Sequence, residues 1–184
     1  MSTDRLREIL LADPTVMQIL EVVRDRAPQG AYVSAGLIRN LIWDRHYGRT
    51  PDCARTDVDV VYFDRQDLRP ETEARFEGVL TRTMPRYVWQ VRNQARMHMS
   101  AGDRRYADVA EALSHWPETA TAVAVRQHKG GALEVVAPFG LDDLFDHVLR
   151  PTPAILKRDV GIFQRRLQEK GWLSRWPELK VRLS

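Results

Sequence analysis

Apolar positions along the chain alternate between a helical spacing and short β-branched runs, which predicts interleaved helices and strands. Asp13 before Pro14 offers an N-cap and a proline at the first helical position. Val16, Ile19, Leu20 and Val23 then repeat at helical spacing, predicting a helix to near Arg26. Ala31 to Ala35 is a short apolar stretch ending at Gly36, after which Leu37, Ile38, Leu41 and Ile42 share one helical face. This reads as strand, glycine turn, helix. Tyr47 to Thr56 holds Gly48, Pro51 and mixed charge, a loop pattern, and Val58, Val60, Val61, Tyr62 and Phe63 follow as a buried strand.

Pro70 opens a predicted helix to about Thr83, and a strand starts near Tyr87 and runs through Val91. After a polar connection, Ala107 to Trp116 is helical in composition until Pro117 stops it. Ala120 to Gln127 and Ala132 to Ala137 flank His-Lys-Gly-Gly, a hairpin pattern. Gly140 precedes a helix around Leu141 to Val148, and Pro151 and Pro153 mark a joint before one amphipathic helix from Ala154 to Lys170. The order predicts an α/β (α+β) fold, a small mixed β-sheet flanked by helices, in place of a doubly wound parallel sheet. The 184 residues predict a single domain, with a core of about 30–150 and a C-terminal helical extension of about 151–184.

At 43% hydrophobic and 29% charged residues the chain is rich enough in apolar side chains to build a core. The net charge of +3 is dispersed, so strong nonspecific nucleic-acid binding is not implied. The single cysteine, Cys53, has no partner for an intrachain disulfide or a Cys-rich zinc site, which fits a reducing cytoplasm. The apolar run Ile9 to Ala12 is too short for an export signal, and no stretch approaches the ~18 apolar residues of a membrane span, so no membrane partner is expected.

The sharpest chemical feature is Thr56-Asp57-Val58-Asp59-Val60-Val61-Tyr62-Phe63. Strand alternation puts Asp57 and Asp59 on one face with Cα atoms about 6.5–7 Å apart. Two hard carboxylates that close repel each other unless a cation joins them, and Mg²⁺ or Mn²⁺ shared with a phosphate substrate suits them. An isolated D-x-D is also the pattern of a solvated strand end. Upstream, Ser34-Ala35-Gly36-Leu37-Ile38-Arg39-Asn40 joins a strand to a helix, where a glycine lets the backbone approach phosphate and free N–H groups favour anions. Taken alone, it is equally a turn.

Together these stretches resemble the polymerase β-like nucleotidyltransferase superfamily, whose pattern is a small-residue-Gly turn into a helix, a D-x-D strand and a third acid on a later strand. SAGLIRN is similar to the GG-x-V-R-D stretch of CCA-adding enzymes. AGLIRNLIWDRHYG, DVDVVYFD, WQVRNQARMH, HWPETATAVAV and LEVVAPFGLDDLF resemble a bacterial family of small nucleotidyltransferase-like proteins over roughly residues 30 to 155. Two departures stand out: Ala35 replaces the first glycine, and 20 residues separate Gly36 from Asp57.

The resemblance implies transfer of a nucleoside monophosphate from a nucleoside triphosphate to a hydroxyl, with release of pyrophosphate. The acceptor, whether RNA, protein or small molecule, is not identified by it. Asp57, Asp59 and Glu134 become the candidate catalytic and metal-binding carboxylates for Mg²⁺ or Mn²⁺, Glu134 because apolar residues flank it on a late strand. Ser34, Gly36, Arg39 and Asn40 become candidate nucleotide-binding residues. Arg92, Asn93 and Arg96 join them because Arg92 to His98 concentrates hydrogen-bond donors after a strand, although a solvated loop has the same composition. A noncatalytic nucleotide- or RNA-binding module of the same fold is the alternative, and a structural partner with an incidental D-x-D is the blander one. His46, His98, His115, His128 and His147 are read as structural or surface groups, Asp142 and Asp143 as helix caps, the five tryptophans mainly as core, and Cys53 as no nucleophile.

Overall fold

The short strand before Gly36 becomes the middle of the sheet. In a computed structural model that describes residues 2–51 and 57–183, β1 (Tyr32–Ser34) is buried at all three positions. It pairs antiparallel with β2 (Val58–Tyr62) on one side and β4 (Ala124–Gln127) on the other. β3 (Trp89–Asn93) adds in parallel to β2, and β5 (Leu133–Val136) closes the hairpin with β4. The sheet is therefore mixed, in the order β3-β2-β1-β4-β5, as the element pattern predicts. Cys53 and Thr56 lie outside the described residues.

Side-chain alternation gives the two faces different coverings. Val33, Val58, Val60, Tyr62, Val91 and Val125 enter the main core, with side chains from α1 (Ser2–Leu11), α2 (Pro14–Arg26) and α4 (Pro70–Thr83). Each such fully buried aliphatic side chain contributes roughly 1.5–3 kcal/mol. On the other face Tyr32, Val61 and Ala124 meet Val109 and Leu113 of α6 (Val109–Ser114) in a smaller cluster. The register Ser34↔Asp59 puts Asp59 on this second face.

α3 (Gly36–His46) differs from its sequence pattern, which showed one apolar face. Arg39, Asn40 and Asp44 are buried along with Leu37, Ile38 and Leu41, because the chain after residue 146 folds back over the polar side. That chain comprises β6 (Val148–Leu149), α8 (Pro153–Arg158), α9 (Val160–Lys170), α10 (Trp172–Arg175) and β7 (Lys180–Val181), with β7 parallel to β6. The Trp176 indole N–H (2.9 Å) and the Arg175 guanidinium (2.7 Å) both donate to the Asp44 carboxylate. Phe163, Trp172 and Trp176 join the main core.

Several predicted boundaries move, each for a local reason. The polar connection after β3 is a helix, α5 (Gln94–Ala101), capped by the Asn93 side chain and ended by Gly102 in the left-handed conformation. The helix expected at Ala107 starts at Val109, where the Asp108 carboxylate accepts the Glu111 N–H. Thr119–Thr121 is a 3-10 turn that delays β4 to Ala124. α7 (Asp142–Phe145) stops before His147, whose φ of 58° turns the chain into β6. The single helix expected from Ala154 is cut by Asp159, which ends α8 and caps α9 through the Gly161 N–H. α1 carried no sequence prediction, yet Leu6 and Leu10 are fully buried. Among the described residues no helix is long and apolar enough to cross a membrane.

Candidate functional site

Asp57, just ahead of β2, and Asp59, within it, face one cleft of about 490 Å³, with Ala35, Gly36, Arg39 and Asn40 lining another side. Burial is the main influence on Asp59 and raises its pKa; the Asp57 charge adds to this, while a hydrogen bond from the Gly36 N–H and the charges of Arg39 and Lys170 oppose it. Ionised, the pair concentrates negative charge on hard oxygens at one strand end. That donor set fits a hard divalent cation, with Asp57 open to solvent. Among the described residues, no group of three or more His, Cys, Asp or Glu is arranged to hold a metal ion.

The turn into α3 is strained. Ala35 has φ 50° and ψ −113°, a conformation that favours glycine, and its N–H donates to the Val123 carbonyl at 3.1 Å. The arrangement aims the Gly36 N–H at Asp59, so the turn positions the carboxylate as well as opening the helix N-terminus. Strain of this kind costs about 1–3 kcal/mol. Ala35→Gly should therefore raise the melting temperature by roughly 2–4 °C for each kcal/mol relieved; calorimetry giving an unchanged or lower value would remove the strain argument.

The opposite wall of the cleft comes from the C-terminal segment, with Arg166 and Lys170 one turn apart on α9 and Trp172 and Trp176 beside them. Arg39 lies over the rings of Trp172 (4.7 Å) and Trp43 (5.4 Å), and its Nε and Nη2 donate to Asn40 Oδ1. Burial lowers its pKa to about 10, which leaves it charged at neutral pH. Arg166 pairs at 2.6 Å with Glu118, a fully buried carboxylate that also accepts from Thr121. Gln90, the register partner of Asp59 on β3, donates its amide to Asp57 at 2.6 Å.

Of the residues singled out in the sequence, Asp57, Asp59, Gly36, Arg39 and Asn40 come together here, and the others do not. Ser34 is fully buried, and its hydroxyl donates to the Asp59 carbonyl beneath the cleft. Arg92, Asn93 and Arg96 serve the sheet edge. β3 is an edge strand, and its Val91 and Asn93 N–H groups donate to the Glu77 and Glu73 carboxylates of α4. Arg92 pairs with Glu77, Arg96 pairs with Glu73 through two nitrogens, and the Asn93 amide holds the Asp64 and Asp67 carbonyls. The dense donors that suggested a phosphate site answer α4 carboxylates instead.

Glu134 is corrected more sharply, because β5 lies at the opposite end of the sheet from β3, with β1 and β4 between it and β2. Its carboxylate accepts from Tyr32 (2.6 Å), Arg126 (2.7 Å) and His128 (2.8 Å). Burial raises its pKa, but these three partners outweigh it and hold the value below the usual 4.5. The lowered value makes this a contribution to stability that is present above pH 4.5 and lost as acid protonates the folded protein. With the side chain about a third exposed, solvent screening leaves it worth about 1 kcal/mol. Glu134→Gln should thus lower urea stability at pH 7 by about that amount, with the gap closing near pH 3; an undiminished gap in acid would refute the ionic origin.

Gln90, Arg166, Lys170 and Glu118 were missed as site residues. The spacing of Arg166 and Lys170, four apart on a predicted helix, was a signal for one cationic face; nothing local linked that face to the aspartates. The histidines serve structural contacts: His46 meets Glu178, His115 meets Asp103, His98 meets the Ala95 carbonyl, and His147 is buried. Asp142 and Asp143 occupy the first turn of α7, where Leu141 is the cap residue, and Asp143 binds Arg150 and Thr119.

A family model described as nucleotidyltransferase matches residues 21–181. Among solved structures, one described as revealing a CCA-adding enzyme head domain is 33% identical, with a TM-score of 0.85 over 97% of this chain and 96% of that one. A CCA-adding enzyme in complex with CTP matches at 16% identity and a TM-score of 0.61, over 98% of this chain and 43% of that one. The Thermotoga maritima CCA-adding enzyme complexed with tRNA matches at 16% identity and a TM-score of 0.59, over 97% of this chain and 42% of that one. The chain thus spans under half the length of these two, and they establish the fold alone. No curated protein matches the chain.

Proposed function

The chain belongs to the nucleotidyltransferase family, and from that premise we propose that its cleft binds a nucleoside triphosphate with Mg²⁺ or Mn²⁺ and transfers the nucleoside monophosphate to a hydroxyl acceptor, releasing pyrophosphate. The observation that carries this reading is the meeting, in one cleft, of Asp57 and Asp59 with three cations, Arg39 of α3 and Arg166 and Lys170 of the opposite wall. Two carboxylates hold the metal and three cations face the polyphosphate, the charge pattern that such a substrate requires.

Each residue then has a physical task. Asp57 and Asp59 hold the cation, which when bound neutralises phosphate charge and makes the α-phosphorus more electrophilic. Gly36 orients Asp59 through its N–H. Lys170 and Arg39 attract the phosphate chain, and Arg166, anchored on Glu118, offers its remaining N–H groups to the departing pyrophosphate. Trp172 and Trp43 hold Arg39 over their rings, so its orientation is set before substrate arrives. Positioning and electrostatics supply most of the acceleration in phosphoryl transfer. The reaction is assigned to the cytoplasm, where triphosphates are plentiful.

The alternative, a noncatalytic nucleotide- or RNA-binding module of the same fold, is favoured by the placement of Glu134 far from the aspartates. One experiment separates the two. Purified protein is incubated with Mg²⁺, each labelled triphosphate and cell extract, and both pyrophosphate and the labelled product are followed. Pyrophosphate release with a labelled acceptor supports transfer; saturable binding of a triphosphate with neither supports the module.

A further inference from the structure

Gln90 stands at the position from which another acid would reach the aspartates. β3 is the neighbour of β2 beyond Asp57 and Asp59, and Gln90 is level with Asp59 in the parallel register. Its side chain turns to the same cleft, with Nε2 donating to Asp57 Oδ2 at 2.6 Å. Paired metal ions about 3.5–4 Å apart stabilise both the attacking and leaving oxygens, and each ion draws on anionic protein ligands. A carboxylate at position 90 would supply those. An amide supplies a neutral oxygen at most, and its NH₂ group already occupies an Asp57 oxygen. The other acid considered, Glu134, is bound by Tyr32, Arg126 and His128 at the far end of the sheet.

The charge around the pair leads the same way. Arg39 and Lys170 line the same cleft as Asp57 and Asp59, so fixed cations already face the space that a triphosphate would fill. From this arrangement we infer that Gln90 restricts the site to a single divalent cation, the one shared by Asp57, Asp59 and the triphosphate, and that fixed side-chain cations replace a second ion. The inference rests on the proposed role of the aspartates as metal ligands. It makes Gln90 a positioning residue that sets metal stoichiometry, with Arg39 and Lys170 as its electrostatic complement.

The test reads the metal directly. Wild-type protein is mixed with Mn²⁺ and a nonhydrolysable α,β-methylene nucleoside triphosphate, and bound Mn²⁺ is observed by low-temperature electron paramagnetic resonance. The expected wild-type spectrum is that of isolated bound ions. Gln90→Glu should give a spin-coupled Mn²⁺ pair and about a twofold rise in bound Mn²⁺ per complex, while Gln90→Ala should retain isolated ions. Gln90→Asp is the second acidic variant, and thermal melting verifies that each variant is folded. A coupled pair in the wild type overturns the inference while upholding the aspartates as ligands. Isolated ions in both folded acidic variants overturn it too, since position 90 would then not set the number. Absence of protein-bound Mn²⁺ in the wild type instead overturns the reading of Asp57 and Asp59 on which it rests.

Discussion

Asp57→Asn and Asp59→Asn should each lower nucleotidyl transfer by about a thousandfold or more, because an amide keeps the shape of the side chain and removes the charge proposed to hold the cation. The two substitutions should part company in the protein without ligand. Asp59 is half-buried, and burial followed by Asp57 repulsion keeps its pKa raised. A carboxyl group with a raised folded-state pKa destabilises the fold where it is ionised, above its ordinary value of 3.8, and this cost disappears as pH falls and both states become protonated. Asp59→Asn should therefore melt higher than wild type at pH 7 and lose that advantage near pH 3. With Mg²⁺ and triphosphate the order reverses, since ligand that binds only the folded state stabilises wild type alone. Melting curves at both pH values, with and without ligands, check this; full ligand-induced stabilisation in both variants would exclude the pair as the metal platform.

Ending the chain at residue 150 should abolish the fold itself. The sequence reading treats 151–184 as an extension of a 30–150 core, yet Ile155, Phe163, Trp172, Trp176 and Leu179 belong to the main core cluster. Deleting one large buried aromatic side chain costs about 3–5 kcal/mol, so losing this set exceeds the roughly 5–15 kcal/mol of net stability typical of a domain. The truncation also strips the cover from Arg39, Asn40 and Asp44, leaving α3 with polar groups placed for partners that are gone. Circular dichroism and solubility of residues 1–150 provide the measurement. A truncated chain with a cooperative melt near that of the whole protein would show the segment to be an accessory. Trp176→Ala is the milder form: it removes a side chain 1% exposed that packs edge-on against Trp43, and should cost about 3–5 kcal/mol in a urea titration.

Short-range pattern is sufficient for the strand, glycine turn and helix around Gly36, for the D-x-D strand, and for the hairpin at residues 128–131. Each depends on alternation, β-branching or turn residues within a few positions, and the resemblance to nucleotidyltransferases rests on those same stretches. Other local signals compete nearly evenly, which is why Asp159 divides one predicted helix and Asp108 delays another. Sheet order is a different kind of information. Nothing within Leu-Glu-Val-Val says that two strands will separate it from β2, and nothing within Arg92 to Arg96 says that β3 will be an edge whose N–H groups need Glu73 and Glu77. In isolation a donor-rich segment looks the same whether it meets phosphate or a neighbouring helix. The cationic wall is likewise nonlocal, since Arg166 and Lys170 come to line the cleft of Asp57 and Asp59 only after the chain has wrapped over α3. Side-chain chemistry is written residue by residue, whereas the partner of each charge depends on which strands pair and which surfaces must be buried together.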